Sequence, residues 1–266
     1  METSTARVNP LHNIFAIAKN AFREAVRDRI LYNLIVFVLL ITVSAIFLGE
    51  LTAGEEARVI VNLGLSATLV FGTFIAIFVG VSLVWKEIEK KTVYSIFSKP
   101  VGRGQFVIGK YLGLCATLFA NLVVMGLGVT LALLYVGGSR MIPGVWAAIL
   151  LIFFELTIIT GIAIMFSSFS TPALSALLTF FVFIIGHFSA SLLDLAKTVG
   201  SSAAIAFFTA SFYLLPNLSH FSFITETANA MISPPAMIGG AALYAVIYDA
   251  ILLAVTVLIF SRRNFK

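Results

Sequence analysis

The sequence predicts an all-α membrane protein with six transmembrane helices. Of its 266 residues, 60% are hydrophobic and only 11% are charged, whereas soluble domains have about 25% charged residues. The apolar residues also gather in runs of about 20, the length that an α-helix needs to cross the hydrocarbon core of a bilayer. A water-soluble globule is therefore excluded, and so is a disordered chain, because a sequence with 25 Phe cannot stay solvated.

Six apolar runs are long enough to be spans, and they lie at residues 30–48, 63–85, 111–136, 145–166, 173–193 and 239–260. A further run at 203–215 has only about thirteen residues before Pro216, which suits an interfacial or re-entrant helix better than a crossing. The segment 194–238 that contains it is too long for a simple connection and too apolar for a free loop. We therefore expect this segment to lie over or dip into the outer leaflet.

The positions of the charges predict an orientation. Of the 17 Lys and Arg residues, only Arg58, Arg140 and Lys197 fall outside when both termini are placed inside. Basic residues accumulate on the cytoplasmic side of membrane proteins, so this asymmetry predicts a multi-pass protein of the cytoplasmic (inner) membrane, N-in and C-in. The net charge of +5 is then a sidedness signal, and we expect no nucleic-acid partner.

Residues 11–29 have the pattern of an amphipathic helix. Apolar side chains recur at three-to-four spacing, and basic and other polar residues take the opposite face. The apolar positions are Leu11, Ile14, Phe15, Ala18, Phe22, Ala25 and Val26. A basic polar face beside a bulky apolar face is typical of helices that lie at the cytoplasmic membrane interface.

The segment 86–110 is the longest charged stretch and connects the second and third predicted spans. Pro100 should end a first helix near Ser98, and the glycines on either side of Arg103 indicate a turn. A short helix–turn–helix at the cytoplasmic membrane surface is a natural docking element for a soluble partner.

Catalytic and ligand-binding motifs are not evident. Residues 104–110 read G-x-x-x-x-G-K, but Tyr111 stands where a phosphate-binding loop needs Ser or Thr, and a predicted span follows at once. Cys115, His187 and His220 lack the short spacings of zinc or copper ligands, and no G-x-S-x-G occurs. We therefore predict no catalytic, nucleotide, cofactor or metal site in this chain.

Three ionisable residues lie inside predicted spans: Glu155, His187 and Asp249. Such groups are costly in hydrocarbon and are often functional. They would suit a proton or cation relay, but each side chain would equally be satisfied by facing the bundle interior and hydrogen-bonding to Ser, Thr or Tyr neighbours. Both interpretations stay open at this point.

Small residues form stripes in two predicted spans. Gly72, Ala76 and Gly80 repeat every four residues in the second span, and Gly109 and Gly113 begin the third in the same way. Because small side chains let helix backbones approach, the stripes predict close helix packing, either within the subunit or across a dimer interface.

This organisation resembles the ABC-2 type permease family, the transmembrane subunits of ATP-binding cassette transporters. The resemblance covers essentially the full chain: the N-terminal IAKNAFREAVRDRILYNLIVF, the loop KEIEKKTVYSIFSKPVGRGQFVIGK, six spans, the long outer segment and the basic terminus FSRRNFK. Within the family the chain looks like the NosY-like, multicopper-enzyme-maturation branch, which the outer Leu215-Pro216-Asn217-Leu218 also fits.

The resemblance implies one ABC-2 transmembrane domain over residues 1–266, similar to type V exporters, with an elbow helix at 11–29 and a coupling loop at 86–110. It further implies that a separate ATPase subunit binds ATP and Mg²⁺, and that this non-catalytic chain exports a substrate as a homodimer or heterodimer among membrane lipids. The implied docking residues for the ATPase are Glu87, Glu89, Lys90, Lys99 and Arg103.

Two other classes of function compete with this one. An ion-coupled secondary transporter or channel would use the intramembrane acids, and a membrane scaffold would bind partners without any flux. The charged loop and the N-terminal amphipathic helix favour the permease.

Overall fold

The computed structural model describes residues 10–25, 54–89, 102–189 and 215–262, with isolated positions within 36–47 and 205–212. The regular structure in these residues is helical, without strands. The helices are α1 (Pro10–Ala25), α2 (Glu56–Glu89), α3 (Arg103–Tyr135), α4 (Ile142–Ser167), α5 (Pro172–His187), α6 (Ile224–Ala228) and α7 (Pro235–Arg262), and 3₁₀ turns lie at Ser139–Met141 and Leu218–Phe221.

Four of these helices are long and apolar enough to cross a membrane: α2, α3, α4 and α7. They confirm the predicted apolar helices at 63–85, 111–136, 145–166 and 239–260. The run at 173–193 is represented by α5, which has 16 residues and is shorter than a full crossing. The predicted first span at 30–48 and most of the loop at 86–110 lie outside the described residues, so the six-span count and the coupling helix stay predictions.

The centre of the bundle is α4, which contacts α2, α3, α5 and α7. Its sequence is apolar all round and shows no polar stripe, as expected for a helix enclosed by others. Leu151, Ile158 and Ala163 are among its fully buried side chains. The polar groups that α4 does carry are therefore held inside the protein.

The two ends of the bundle are named after the arginines that lie there, Arg103 and Arg140. At the Arg103 end, α2 and α7 finish and α3 begins. At the Arg140 end, α3 is joined to α4, and Gly138 lies so close to α2 that an added Cβ would be 2.8 Å from the Cβ of Ala57.

The small-residue stripe of α2 faces α4. A Cβ added to Gly72 would lie 2.5 Å from a Leu156 methyl, and one added to Gly80 would lie 3.0 Å from the Cβ of Ala163. Ala76, between the two glycines, is buried. The stripe therefore brings two helices of one subunit together.

The N-terminal helix α1 packs across the first turns of α3. Added Cβ atoms would lie 2.7 Å from the Cβ of Ile17 at Gly109 and 2.5 Å from the carbonyl oxygen of Ala18 at Gly113, so neither glycine leaves room for a side chain. Helix α1 forms where the amphipathic pattern predicts it, and it leaves Leu11 and Phe15 exposed. Its location at a membrane interface stays a prediction.

Candidate functional site

The first turn of α3 is attached to the last turn of α7 by Arg103. Its Nη1 donates hydrogen bonds to the carbonyl oxygens of Phe260 and Ser261, both at 2.7 Å. The last carbonyls of a helix have no partner within that helix, and a cation placed there also interacts favourably with the helix dipole. Arg103 is thus a C-terminal cap for α7 supplied by another helix, and we call this contact the Arg103 junction.

The next turns of α3 are attached to α1. Lys110 forms an ion pair with Glu24 at 3.4 Å, with the lysine side chain 5% exposed and the glutamate 41% exposed. The Gln105 side-chain oxygen accepts from the Gly102 backbone N–H and from the Asn13 amide, both at 3.3 Å. The residues that mimic a phosphate-binding loop in the sequence therefore serve helix packing, with Lys110 engaged by a carboxylate.

This ion pair gives a testable prediction for charge exchange. Lys110→Glu should lower the free energy of unfolding by about 1–2 kcal/mol, because it places two carboxylates together in a contact that is buried on the side of residue 110 and partly screened by solvent at Glu24. Adding Glu24→Lys restores the opposite charges and should recover part of the loss. Equilibrium unfolding of the two single variants and the swap measures the effect. No recovery in the swap would mean that the two charges do not interact.

Two of the predicted intramembrane residues contact each other. Glu155, at the middle of α4, is hydrogen-bonded to His187, with 3.1 Å between Oε1 and Nδ1. The Glu155 side chain is 1% exposed and that of His187 is 23% exposed, so the imidazole is the accessible partner. The His187 ring also contacts Phe183 and Phe188, with centroids 5.6 Å away in both cases. The pair fastens the end of α5 to the centre of the bundle.

The third intramembrane residue, Asp249, occupies a separate place. It is 7% exposed at the middle of α7, beside the hydroxyls of Tyr111 and Thr157. Its Oδ1 has no hydrogen-bond partner in the described part of the chain, and it lies against Gly161, where an added Cβ would be 3.3 Å away. Thr157 and Gly161 lie about 200° and 240° around α4 from Glu155. Helix α4 therefore presents Asp249 and the Glu155–His187 pair on different faces.

A polar network missed by the sequence analysis holds the chain after α5. The Asn217 side-chain oxygen accepts hydrogen bonds from the Ser189 hydroxyl and from Ser219, while the Asn217 N–H donates to the Tyr244 hydroxyl at 3.0 Å. Leu218, the next residue, is buried. The dipeptide Pro-Asn indicates a turn in the sequence, but its partners, Ser189 just after α5 and Tyr244 on α7, are set by the fold.

Beside this network, His220 and Tyr244 line a cavity of about 320 Å³ at the Arg140 end, together with Met237 and Gly240. The His220 and Tyr244 rings are in edge contact, with centroids 6.0 Å apart. Among the described residues there is no group of three or more His, Cys, Asp or Glu side chains that could hold a metal ion.

The predicted ATPase-docking residues are only partly within the described chain. Glu87 and Glu89 belong to the last turn of α2. Lys90 and Lys99 lie outside the described residues. Arg103 is described, and its guanidinium contacts α7 as set out above.

Comparison with known proteins agrees with this architecture. A family model described as ABC-2 family transporter protein matches residues 15–265, nearly the whole chain. The chain belongs to the ABC-2 transporter family. This ABC-2 protein is therefore a membrane protein of the permease type, and permeases of the family are non-catalytic components that generally pair with ATPase subunits. No curated protein matches the chain.

Proposed function

We propose that this chain is the permease subunit of an ATP-binding cassette transporter and exports a substrate across the cytoplasmic membrane. The family match over residues 15–265 carries the proposal. In this proposal the ATPase subunits are separate chains that hold ATP and Mg²⁺, and they dock on the cytoplasmic loop at 86–110. Two permease chains, identical or related, form the pathway, and both termini are inside. We also propose that the chain belongs to the NosY-like branch of the family.

The contacts of the helices next to the loop support this assignment. The loop joins α2 to α3. Helix α2 packs along α4 through Gly72 and Gly80, and α3 contacts both α1 and the end of α7. A displacement of the loop therefore acts on most of the bundle at once. A transport cycle needs two states whose relative energies ATP binding changes, and helices attached in this way can move as units between them.

An ion-coupled transporter is the alternative that the buried acids would favour. Its pathway would have to include both Asp249 and the Glu155–His187 pair, which lie on different faces of α4. The family match outweighs this alternative. Uptake that is driven by a proton gradient in vesicles without any ATPase, and abolished by Glu155→Gln, would reverse that judgement.

Charge reversal at the end of α2 tests the docking surface. The tagged chain, purified from its native membranes in mild detergent, should bring down a phosphate-binding-loop ATPase whose activity is blocked by vanadate. Glu87→Lys with Glu89→Lys should reduce the recovered ATPase at least about fivefold. The new lysines would face a surface that complements the original glutamates, and like charges placed together across an interface cost several kcal/mol.

The same helix supplies a matched control for this experiment. Glu55 and Glu56 lie at the opposite end of α2, so reversing both should leave the recovered ATPase unchanged. If no ATPase accompanies the wild-type chain, the proposed function is wrong. If reversal at both ends has the same effect, the docking surface does not lie at Glu87 and Glu89.

A further inference from the structure

Three contacts join the first turns of α3 to the last turns of α7. Arg103 donates to the carbonyl oxygens of Phe260 and Ser261, as described above. The rings of Phe106 and Phe260 lie 6.2 Å apart between centroids, and Gly104 faces Val257, whose methyl groups would lie 3.8 and 3.9 Å from an added Cβ. The two helices are therefore packed together as well as hydrogen-bonded at this point.

The chemistry of Arg103 is suited to this internal contact. A guanidinium has five N–H donors and no acceptor, and it remains charged in proteins. The carbonyl oxygens at the end of α7 are acceptors that need a donor from outside the helix. Both hydrogen bonds to α7 come from Nη1, so this part of the guanidinium serves an internal contact between two helices.

The position of the junction connects the loop with the middle of the bundle. Residues 90–101 immediately precede Gly102, after which α3 begins at Arg103. Helix α7 runs from the junction to Asp249, about 17 Å along the helix axis at 1.5 Å per residue. Asp249 in turn lies against Gly161 of the central helix. A continuous series of contacts thus connects the end of the loop with the buried carboxylate of Asp249.

We propose that Arg103 is a positioning residue that makes α7 follow the loop during the transport cycle, instead of a residue that binds the ATPase. This inference rests on the proposed function. Without the junction, ATP binding would still move the loop and the start of α3, but α7 would follow less closely, because only the packing of Phe106 on Phe260 and of Gly104 on Val257 would remain. Arg103 variants should therefore keep the ATPase bound and reduce the movement of α7.

Spin-label distances in the purified permease–ATPase complex in lipid nanodiscs test this inference. In a Cys115→Ser background, labels at Leu63→Cys on α2 and Val246→Cys on α7 report the distance between exposed positions of the two helices. The wild-type distance distribution should shift between the nucleotide-free state and the ATP–vanadate state. Arg103→Ala should recover ATPase at the wild-type ratio. It should reduce the shift at least about twofold, since the hydrogen bonds between α3 and α7 are lost.

Variants of graded chemistry separate this role from a general loss of folding. Arg103→Lys keeps the charge, but its Nζ is one bond closer to the backbone than the Nη1 that donates to both carbonyls, so its shift should lie between those of wild type and Arg103→Ala. Arg140→Ala, at the exposed opposite end, should behave as wild type. In the permease alone, hydrogen exchange of residues 258–262 should be faster in Arg103→Ala than in wild type.

Three outcomes would overturn the inference. Loss of the ATPase from Arg103→Ala, with unchanged hydrogen exchange at the end of α7, would make Arg103 a docking residue. A full wild-type shift in Arg103→Ala would mean that α7 does not depend on the junction. Unchanged hydrogen exchange in the permease alone would mean that the junction does not hold α7. Absence of ATPase from the wild-type preparation instead overturns the proposed function, which the recovery measurement reports separately.

Discussion

His187→Ala is expected to lower the free energy of unfolding by about 3 kcal/mol, because it leaves the buried Glu155 carboxyl group without its hydrogen-bond partner. Glu155 is only 1% exposed and His187 Nδ1 lies 3.1 Å from its Oε1, so truncation leaves a buried polar group without this hydrogen bond. Truncation also removes the ring contacts with Phe183 and Phe188, which adds to the loss. Reversible unfolding in mixed detergent–SDS micelles measures the difference.

A second substitution separates the charge from the packing. Glu155→Gln replaces the carboxyl group by a neutral amide of similar shape, which costs less to leave without a partner. The double variant His187→Ala with Glu155→Gln should therefore be more stable than His187→Ala alone by about 1 kcal/mol or more. In the wild-type background Glu155→Gln should be destabilising, since it weakens the interaction with His187.

An exposed histidine provides the control. His220→Ala at the Arg140 end keeps the Glu155–His187 pair intact and should change stability by less than about 0.5 kcal/mol. The explanation fails if Glu155→Gln destabilises the His187→Ala variant as much as it destabilises wild type. That result would mean that the two side chains contribute independently, and that the 3.1 Å contact is not an energetic coupling.

Four long apolar helices could be predicted from the sequence, because the bilayer fixes the length of a crossing helix. Four apolar runs became helices of the expected kind, and α5 ended earlier than the apolar run 173–193 suggested. At Gly186 an added Cβ would lie 2.6 Å from the carbonyl oxygen of Pro216, so the chain after 215 packs directly against the end of α5. The length of an apolar run does not show whether another part of the chain packs against the end of the helix.

The sequence marks Glu155, His187 and Asp249 one by one as ionisable residues in apolar runs, but it does not give their contacts or the Asn217 network. Glu155 lies 12 residues before the end of α4, and His187 lies 15 residues after the start of α5. If the two helices are antiparallel, both residues are therefore at a similar distance from the turn that joins them. The Arg103 junction joins residues 157 positions apart. Apolar helix surfaces in lipid do not specify which helices are neighbours, so that contact requires the three-dimensional structure.

Gly113→Ala is expected to lower the free energy of unfolding by about 1–2 kcal/mol, even though alanine is the better helix former. The new Cβ would lie 2.5 Å from the carbonyl oxygen of Ala18 and 2.6 Å from the Cβ of Ala21. Both obstacles belong to the α1 backbone or are fixed directly to it, so α1 as a whole must move away from α3. The movement also strains the neighbouring Lys110–Glu24 ion pair.

Two other glycines make this prediction specific. At Gly72 the obstacle is a Leu156 methyl group at 2.5 Å, the far end of a side chain that can change rotamer, so Gly72→Ala should cost less than Gly113→Ala. At Gly239 no atom of the described chain lies within 4 Å of an added Cβ, and alanine should stabilise the helix by up to about 0.5–1 kcal/mol. Unfolding measurements on the three variants should therefore rank Gly239→Ala as most stable and Gly113→Ala as least stable. Equal losses at Gly72 and Gly113 would contradict the close backbone contact between α1 and α3, because only an obstacle that cannot rotate away gives Gly113 the larger cost.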